Sequence, residues 1–171
     1  MTAQASRHVR DFARLDTRDQ VCFMAAWSLL GLSRLAVALL PFTAVRRALG
    51  EPRHPGRAPS PAEQRDATRD PTPEPDPRAL QRAIRIGRTV GRAARHTPWR
   101  SDCYPQALAA RVLLGAARIP HVVSFGVRRD GEVLRAHVWV RAGVVMVTGG
   151  SGESWTEVGS FSWAPRKGRT G

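Results

Sequence analysis

The sequence changes period at Pro120, and that change limits the folds open to the chain more than any other feature. Before it, apolar residues recur at helical spacing; after it, HVVSFGVRRDGEVLRAHVWVRAGVVMVTGG alternates. Two strand-like runs meet at Asp130-Gly131, a strong short-range hairpin signal, and a second turn at Ala142-Gly143 opens a third run, VVMVTG. This segment reads as a three-stranded antiparallel meander. Helices first and strands after predict an α+β architecture rather than alternating βαβ units. At 171 residues and 42% hydrophobic, the chain holds one ordinary core. No internal repeat and no Gly-rich phosphate loop is visible.

The first half divides into helical and proline-rich parts. Residues 1–50 read as an N-terminal helical segment, with Asp16 or Thr17 capping an apolar helix of about 17–40 that Pro41 ends. A short basic helix, TAVRRALG, follows and stops at Gly50. The apolar run from Val21 to Phe42 is long enough for a membrane span. Ser28, Ser33 and Arg34 interrupt it, and a central arginine costs about 2.5–3.5 kcal/mol on insertion scales. A buried helix, or one in peripheral membrane contact through residues 21–42, is therefore favoured over a span. The preceding stretch mixes acids and bases, and no small-residue cleavage site follows the run, so a secretory signal is not expected.

Residues 51–78 are rich in proline and charge, with no large apolar residue before Leu80, and predict a disordered linker. RALQRAIRIGRTVGRAAR then resumes a helix, with Leu80, Ile84, Ile86 and Val90 on its apolar side, until TPW at Thr97–Trp99 breaks it. The core is placed at 79–165. The Gly/Ser-rich stretch from Ser151 reads as a tail anchored by Trp155, Phe161 and Trp163, with 166–171 disordered.

The net charge of +13 comes from arginines dispersed along the chain. It favours acidic partners in general: an acidic peptide, a membrane surface or nucleic acid. A nucleic-acid-binding protein is disfavoured, because the strands lack an aromatic platform and neither helix-turn-helix nor zinc spacing is visible. Cys22 and Cys103 are far apart in unlike contexts, so a reduced, cytoplasmic protein is expected, with membrane association through residues 21–42 left open. The histidines and cysteines show no metal-ligand spacing, and no cofactor motif is present.

Candidate chemistry centres on Cys103. It follows two good capping residues, Ser101 and Asp102, and opens a helix with Leu108, Val112, Leu113 and Ala116 on its apolar stripe. A helix N-terminus favours the thiolate, and a thiolate nucleophile needs an imidazole partner. His8 and His54 lie in segments read as mobile, His96 precedes a loop and His121 opens the first strand. His137 alone sits at the centre of a strand. Arg135, His137, Trp139 and Arg141 share one face of that strand, while Leu134, Ala136, Val138 and Val140 share the other. The aliphatic face is expected on the core, and the first turn of the Cys103 helix is the expected neighbour of the His137 face. From the residues alone a Cys/His pair and a merely buried cysteine both stay open.

TPWRSDCYPQALAARVLLGAARIP, followed by GV and then AHVWV, resembles the transglutaminase-like leader peptidases of lasso-peptide biosynthesis, often called lasso peptide B proteins. The resemblance spans about Thr97 to Gly150, and the apolar N-terminal helix ending in Pro-Phe is similar as well. It implies a transglutaminase-like, papain-like core with the cysteine helix packed on a small antiparallel sheet. It also implies a cysteine peptidase that removes the leader from a ribosomally made precursor peptide. On this reading Cys103 is the nucleophile and His137 the general base, with helix N-terminal N–H groups at the oxyanion. Gln106 is a candidate to orient oxyanion or substrate, although a helical Gln filling a polar gap is the favoured reading.

One departure concerns the residue that orients the histidine. No Asp follows His137; Glu153 is the nearest carboxylate, and Thr148 or a backbone carbonyl are the other candidates. The strand-rich leader-recognition domain fused to some family members is absent, so the resemblance implies a separate leader-recognition protein beside the precursor and a macrocycle-forming cyclase. ATP dependence of such a pathway stays open. So do the alternatives of transglutaminase-like amide transfer and a non-catalytic accessory role.

Overall fold

The computed structural model of the chain describes residues 16–41, 51–53, 75–99, 101–152 and 154–165. The TAVRRALG helix, most of the proline-rich linker, Glu153 and the 166–171 tail lie outside the described residues.

Three helices form where the sequence supplies starts and stops. The Asp16 carboxylate accepts from the Thr17 N–H at 2.9 Å at the head of α1 (Thr17–Leu39), and Leu40 turns extended before Pro41. Asp76 accepts from the Ala79 N–H at 2.7 Å to cap α2 (Pro77–Ala94), whose first residue is a proline that has no N–H to leave unpaired. The third helix, α3 (Cys103–Ala116), closes in a turn where Arg118 takes a φ of 55° and the Ile119 N–H returns to the Leu114 carbonyl at 2.9 Å.

The strands are β1 (Glu51–Arg53), β2 (His121–Asp130), β3 (Val133–Ala142), β4 (Val145–Thr148) and β5 (Thr156–Trp163). They form one antiparallel sheet in the order β1-β5-β2-β3-β4. The expected meander is β2-β3-β4. Its two-residue turns each begin on a glycine in the left-handed region, Gly131 at φ 59° and Gly143 at φ 54°, the backbone that twisted hairpins require.

Two strands differ from the sequence reading. The stretch taken for a Gly/Ser-rich tail contributes β5, which lies inside the sheet between β1 and β2. Its Gly159, Ser160 and Ser162 hide the alternation that Phe161 continues, since Phe161 pairs with Val123 and joins the core. The backbone of Glu51–Arg53, placed in the linker, pairs with Ser160–Ser162 at the sheet edge. A three-residue edge strand containing a proline carries no alternation to detect, and its pairing is decided by β5.

Helices α2 and α3 cover the sheet face bearing Val123, Val138, Val140, Ala142, Val147 and Phe161, and α1 packs on α2 and α3. The architecture is α+β, as the period change predicted. Alanines 79, 83, 93, 107, 109 and 110 line the helix contacts and let the helices approach closely. Leu30, Val90, Leu114, Val123 and Val140 are fully buried, each contributing roughly 1.5–3 kcal/mol by burial.

His121 is 1% exposed, stacks on Trp163 at 5.3 Å, and donates from Nδ1 to the Ile119 carbonyl at 2.8 Å. Its Nε2 is buried without a hydrogen-bond partner. Burial chiefly, with the nearby Arg111 charge, lowers its pKa from 6.5 to about 4 against the raising effect of the Ile119 bond. As pH falls, the unfolded chain takes up this proton first. The ring's contribution is full above pH 6.5 and is lost on the way to about pH 4, on the order of 3 kcal/mol in all. Urea unfolding should therefore show the midpoint dropping between pH 7 and pH 4.5, with a shallower drop in His121→Gln. Equal pH dependence in the two proteins would refute the assignment.

Candidate active site

The turn before α3 is built to hold Cys103 at a helix start. Thr97 Oγ1 lies 2.9 Å from the Ala94 and Trp99 carbonyls and 2.9 Å from Ser101 Oγ, which folds the TPW segment back on itself. The Trp99 ring packs on Gly31 of α1 and lies 5.3 Å from the Trp27 ring, so the first helix braces this turn. Gln106 donates from Nε2 to the Ser101 carbonyl at 2.7 Å. That bond ties the first turn of α3 to the residue two before the cysteine, the gap-filling use of a helical glutamine.

Cys103 itself is half-buried. Asp102 adopts the N-cap position without a side-chain capping bond, and Pro105 has no N–H. The main-chain amides of Cys103 and Tyr104 are thus the donors at the helix start, and the Asp102 carboxylate does not consume them. Donors so placed suit an oxyanion forming beside the thiol. The Tyr104 ring meets Phe125 edge-on at 5.9 Å, and burial pushes its phenol pKa up.

His137 is held on β3 by the segment after β4. Its Nε2 lies 2.6 Å from the Gly149 carbonyl. A carbonyl only accepts, so Nε2 carries the proton and the neutral ring keeps its lone pair on Nδ1. The Trp155 ring stacks on the imidazole at 4.8 Å, and the Arg128 guanidinium lies 4.7 Å over the same indole. The fit depends on glycine. A β-carbon on Gly149, whose φ is 85°, would sit 2.5 Å from the Val138 carbonyl oxygen and 2.6 Å from Trp139 Cβ. One on Gly126, the register partner of His137, would meet the Trp139 ring at 2.7 Å. Gly149 and Gly152 both lie against Trp139, where a β-carbon would come within 2.6 Å and 2.8 Å of it.

Tyr104, next to Cys103, packs on the face of Phe125 and Val138, whereas His137 and Trp139 project from the opposite face. On the His137 and Trp139 face lie Gly149, Gly152 and Trp155. The cause is topological: the chain leaves β4 at one edge and must cross β3 and β2 to reach β5, and the helices already occupy the other face. Among the described residues no hydrogen bond joins Cys103 to His137. β4 pairs with β3 only from Val140 onward, so the edge of β3 beside His137 has no strand neighbour on that side.

Of the candidates to orient the imidazole, the Gly149 carbonyl does so. Thr148 Oγ1 is buried with no hydrogen-bond partner, and Glu153 is outside the described residues. Trp155 and Arg128 were not legible as neighbours of His137. The signal available was Trp155 among small residues directly after the meander, which composition alone assigns to a tail. Among the described residues no group of His, Cys, Asp and Glu is clustered to hold a metal.

A cysteine at the head of a helix, packed on an antiparallel sheet that carries an oriented histidine, defines the class of α+β folds used for cysteine-based acyl chemistry. The profile of the Transglutaminase-like superfamily matches residues 26–161, and the chain belongs to that superfamily. The match begins inside α1 and ends within β5, so the first helix and the last strand are both part of the family core. Comparison with curated proteins and with solved structures returned no match. The superfamily supports a general cysteine-protease or acyltransferase type of function for this chain.

Proposed function

We propose that the chain is a cysteine peptidase that removes the leader from a ribosomally synthesised lasso-peptide precursor. The observation that carries this reading is the 2.6 Å bond from His137 Nε2 to Gly149, which leaves Nδ1 as the base on an imidazole that cannot spin. The motif order TPWRSDC, then AHVWV, supports the substrate class by resemblance. In this mechanism the Cys103 thiol gives its proton to His137 Nδ1 as sulfur attacks the scissile carbonyl. The oxyanion is met by the Cys103 and Tyr104 amides. His137 then protonates the departing amine, leaving a thioester on Cys103. Water, deprotonated by the same nitrogen, releases the leader acid and restores the thiol. The reading requires Sγ and Nδ1 to come within hydrogen-bond reach, a contact that catalytic sites commonly tighten only with substrate bound.

On this reading the freed core amine passes to a macrocycle-forming cyclase, and a separate leader-recognition protein presents the precursor in the cytoplasm. The test incubates the purified chain with precursor and leader-recognition protein and follows the products by mass spectrometry. Leader release by the wild type and none by Cys103→Ala is the expected result. Equal release by Cys103→Ala would overturn the reading. An amide-linked product in place of free leader acid would assign the chain to amide transfer by the same thioester.

A further inference from the structure

Helix α1 is apolar on both sides, and only one side is used by the fold. Ala26, Leu30 and Ser33 face α2 and α3, while Val21, Met24, Leu32, Leu35 and Leu39 run along the opposite side. Leu32 and Leu35 are 62% and 54% exposed. The segment Asp19–Leu39 has a mean hydropathy of 1.7, and after Asp19 its one charge, Arg34, lies off the outer stripe. At 1.5 Å per residue the stripe is roughly 30 Å long.

Beside it, α2 presents an unbroken row of cations. Arg78, Arg82, Arg85, Arg88, Arg92 and Arg95 recur at intervals of four, three, three, four and three residues, and all six are exposed. At 100° per residue they fall within an arc of about 140°, turned away from the buried Ala79, Ala83, Val90 and Ala93. The helix carries no acidic residue, and among the described residues none of the six forms an ion pair. The two features are contiguous. Val21 and Cys22 of α1 and Arg82 and Arg85 of α2 line one cavity of about 520 Å³.

We propose that this surface docks the protein on an anionic lipid bilayer, with α1 lying in the plane of the interface and the α2 arginines against the headgroups. An exposed aliphatic stripe flanked by cations is the pattern that partitions to such an interface. The outer stripe has no aromatic residue, whereas the centre of a protein interface is enriched in Tyr, Trp and Phe. A bilayer needs only apolar area and surrounding positive charge. The inner side of α1 stays on α2 and α3, so the helix docks without spanning. This inference does not depend on the peptidase reading.

Flotation of the full chain with vesicles tests it, comparing mixed phosphatidylcholine and phosphatidylglycerol with pure phosphatidylcholine. The expected result is at least about tenfold tighter binding to the anionic vesicles, weakened by added salt. Arg82→Gln, Arg85→Gln and Arg88→Gln should each cost about fivefold. Leu32→Glu with Leu35→Glu should abolish binding while circular dichroism shows the helix content unchanged. Equal binding to neutral and anionic vesicles, or none to either, would overturn the proposal. So would a dimer in solution that the two Leu→Glu changes dissociate, because a second copy would then cover the stripe. Capture of an acidic protein through the same arginines without vesicle binding would overturn it too.

Discussion

Cys103→Ala is expected to lower any thioester-forming activity of this chain on the order of 10⁵-fold or more, the scale of losing the nucleophile in enzymes of this type. His137→Ala should approach the same loss, because the two act as one unit and their effects do not add. Both changes remove rather than add volume at half-buried positions, so the far-ultraviolet circular dichroism should stay that of the wild type. A readout independent of turnover is alkylation of the thiol by iodoacetamide, measured in a Cys22→Ser background because Cys22 is exposed and would mask the signal. There His137→Ala should slow Cys103 alkylation at neutral pH by about tenfold if the imidazole activates the thiol. Unchanged alkylation together with unchanged turnover would show that His137 is only a strand residue.

Gly149→Ala is expected to destabilise the fold by roughly 2–5 kcal/mol. Two costs combine: a left-handed φ of 85°, and a β-carbon that would press on the Val138 carbonyl and Trp139. Gly150→Ala is the control, since Gly150 also has a left-handed φ, 71°, but nothing lies within 4 Å of its β-carbon position. That change should cost only about 1 kcal/mol. The comparison separates backbone strain from the close contact of Gly149 with Val138 and Trp139. Urea unfolding of both variants measures it, and equal losses would mean that the packing on Trp139 contributes nothing. If Gly149→Ala still folds, its displaced carbonyl should also reduce turnover more than Gly150→Ala does.

What could be seen in the residues was local. Asp16 and Asp76 sit where the helices begin, Pro41 lies where the first one ends, and Asp130-Gly131 and Ala142-Gly143 mark the hairpins. These are short-range effects of capping and backbone conformation, so a linear reading finds them. Cys103 at the head of α3 and His137 inside β3 were legible for the same reason. The strand β5 was not, because Gly159, Ser160 and Ser162 carry little hydrophobic pattern and the strand exists by pairing with β2 and β1. Gly149, Trp155 and Arg128 as neighbours of His137 were equally hidden. Nothing in the residues marks Gly149 and Trp155 as neighbours of His137; that follows from where β5 has to go.

Composition and period were enough to determine an α+β chain with helices first, a reactive-residue order of cysteine then histidine, and an apolar first helix. They ranked the two faces of β3, placing the aliphatic one on the core, but could not decide what would cover the other. Only the tertiary structure decided that. The aliphatic face went to α2 and α3, since burying Val123, Val138, Val140 and Phe161 yields the larger hydrophobic gain. The crossover to β5 was left with the other face, and the backbone carbonyl of Gly149, a group every residue carries and no sequence distinguishes, became the acceptor that orients His137.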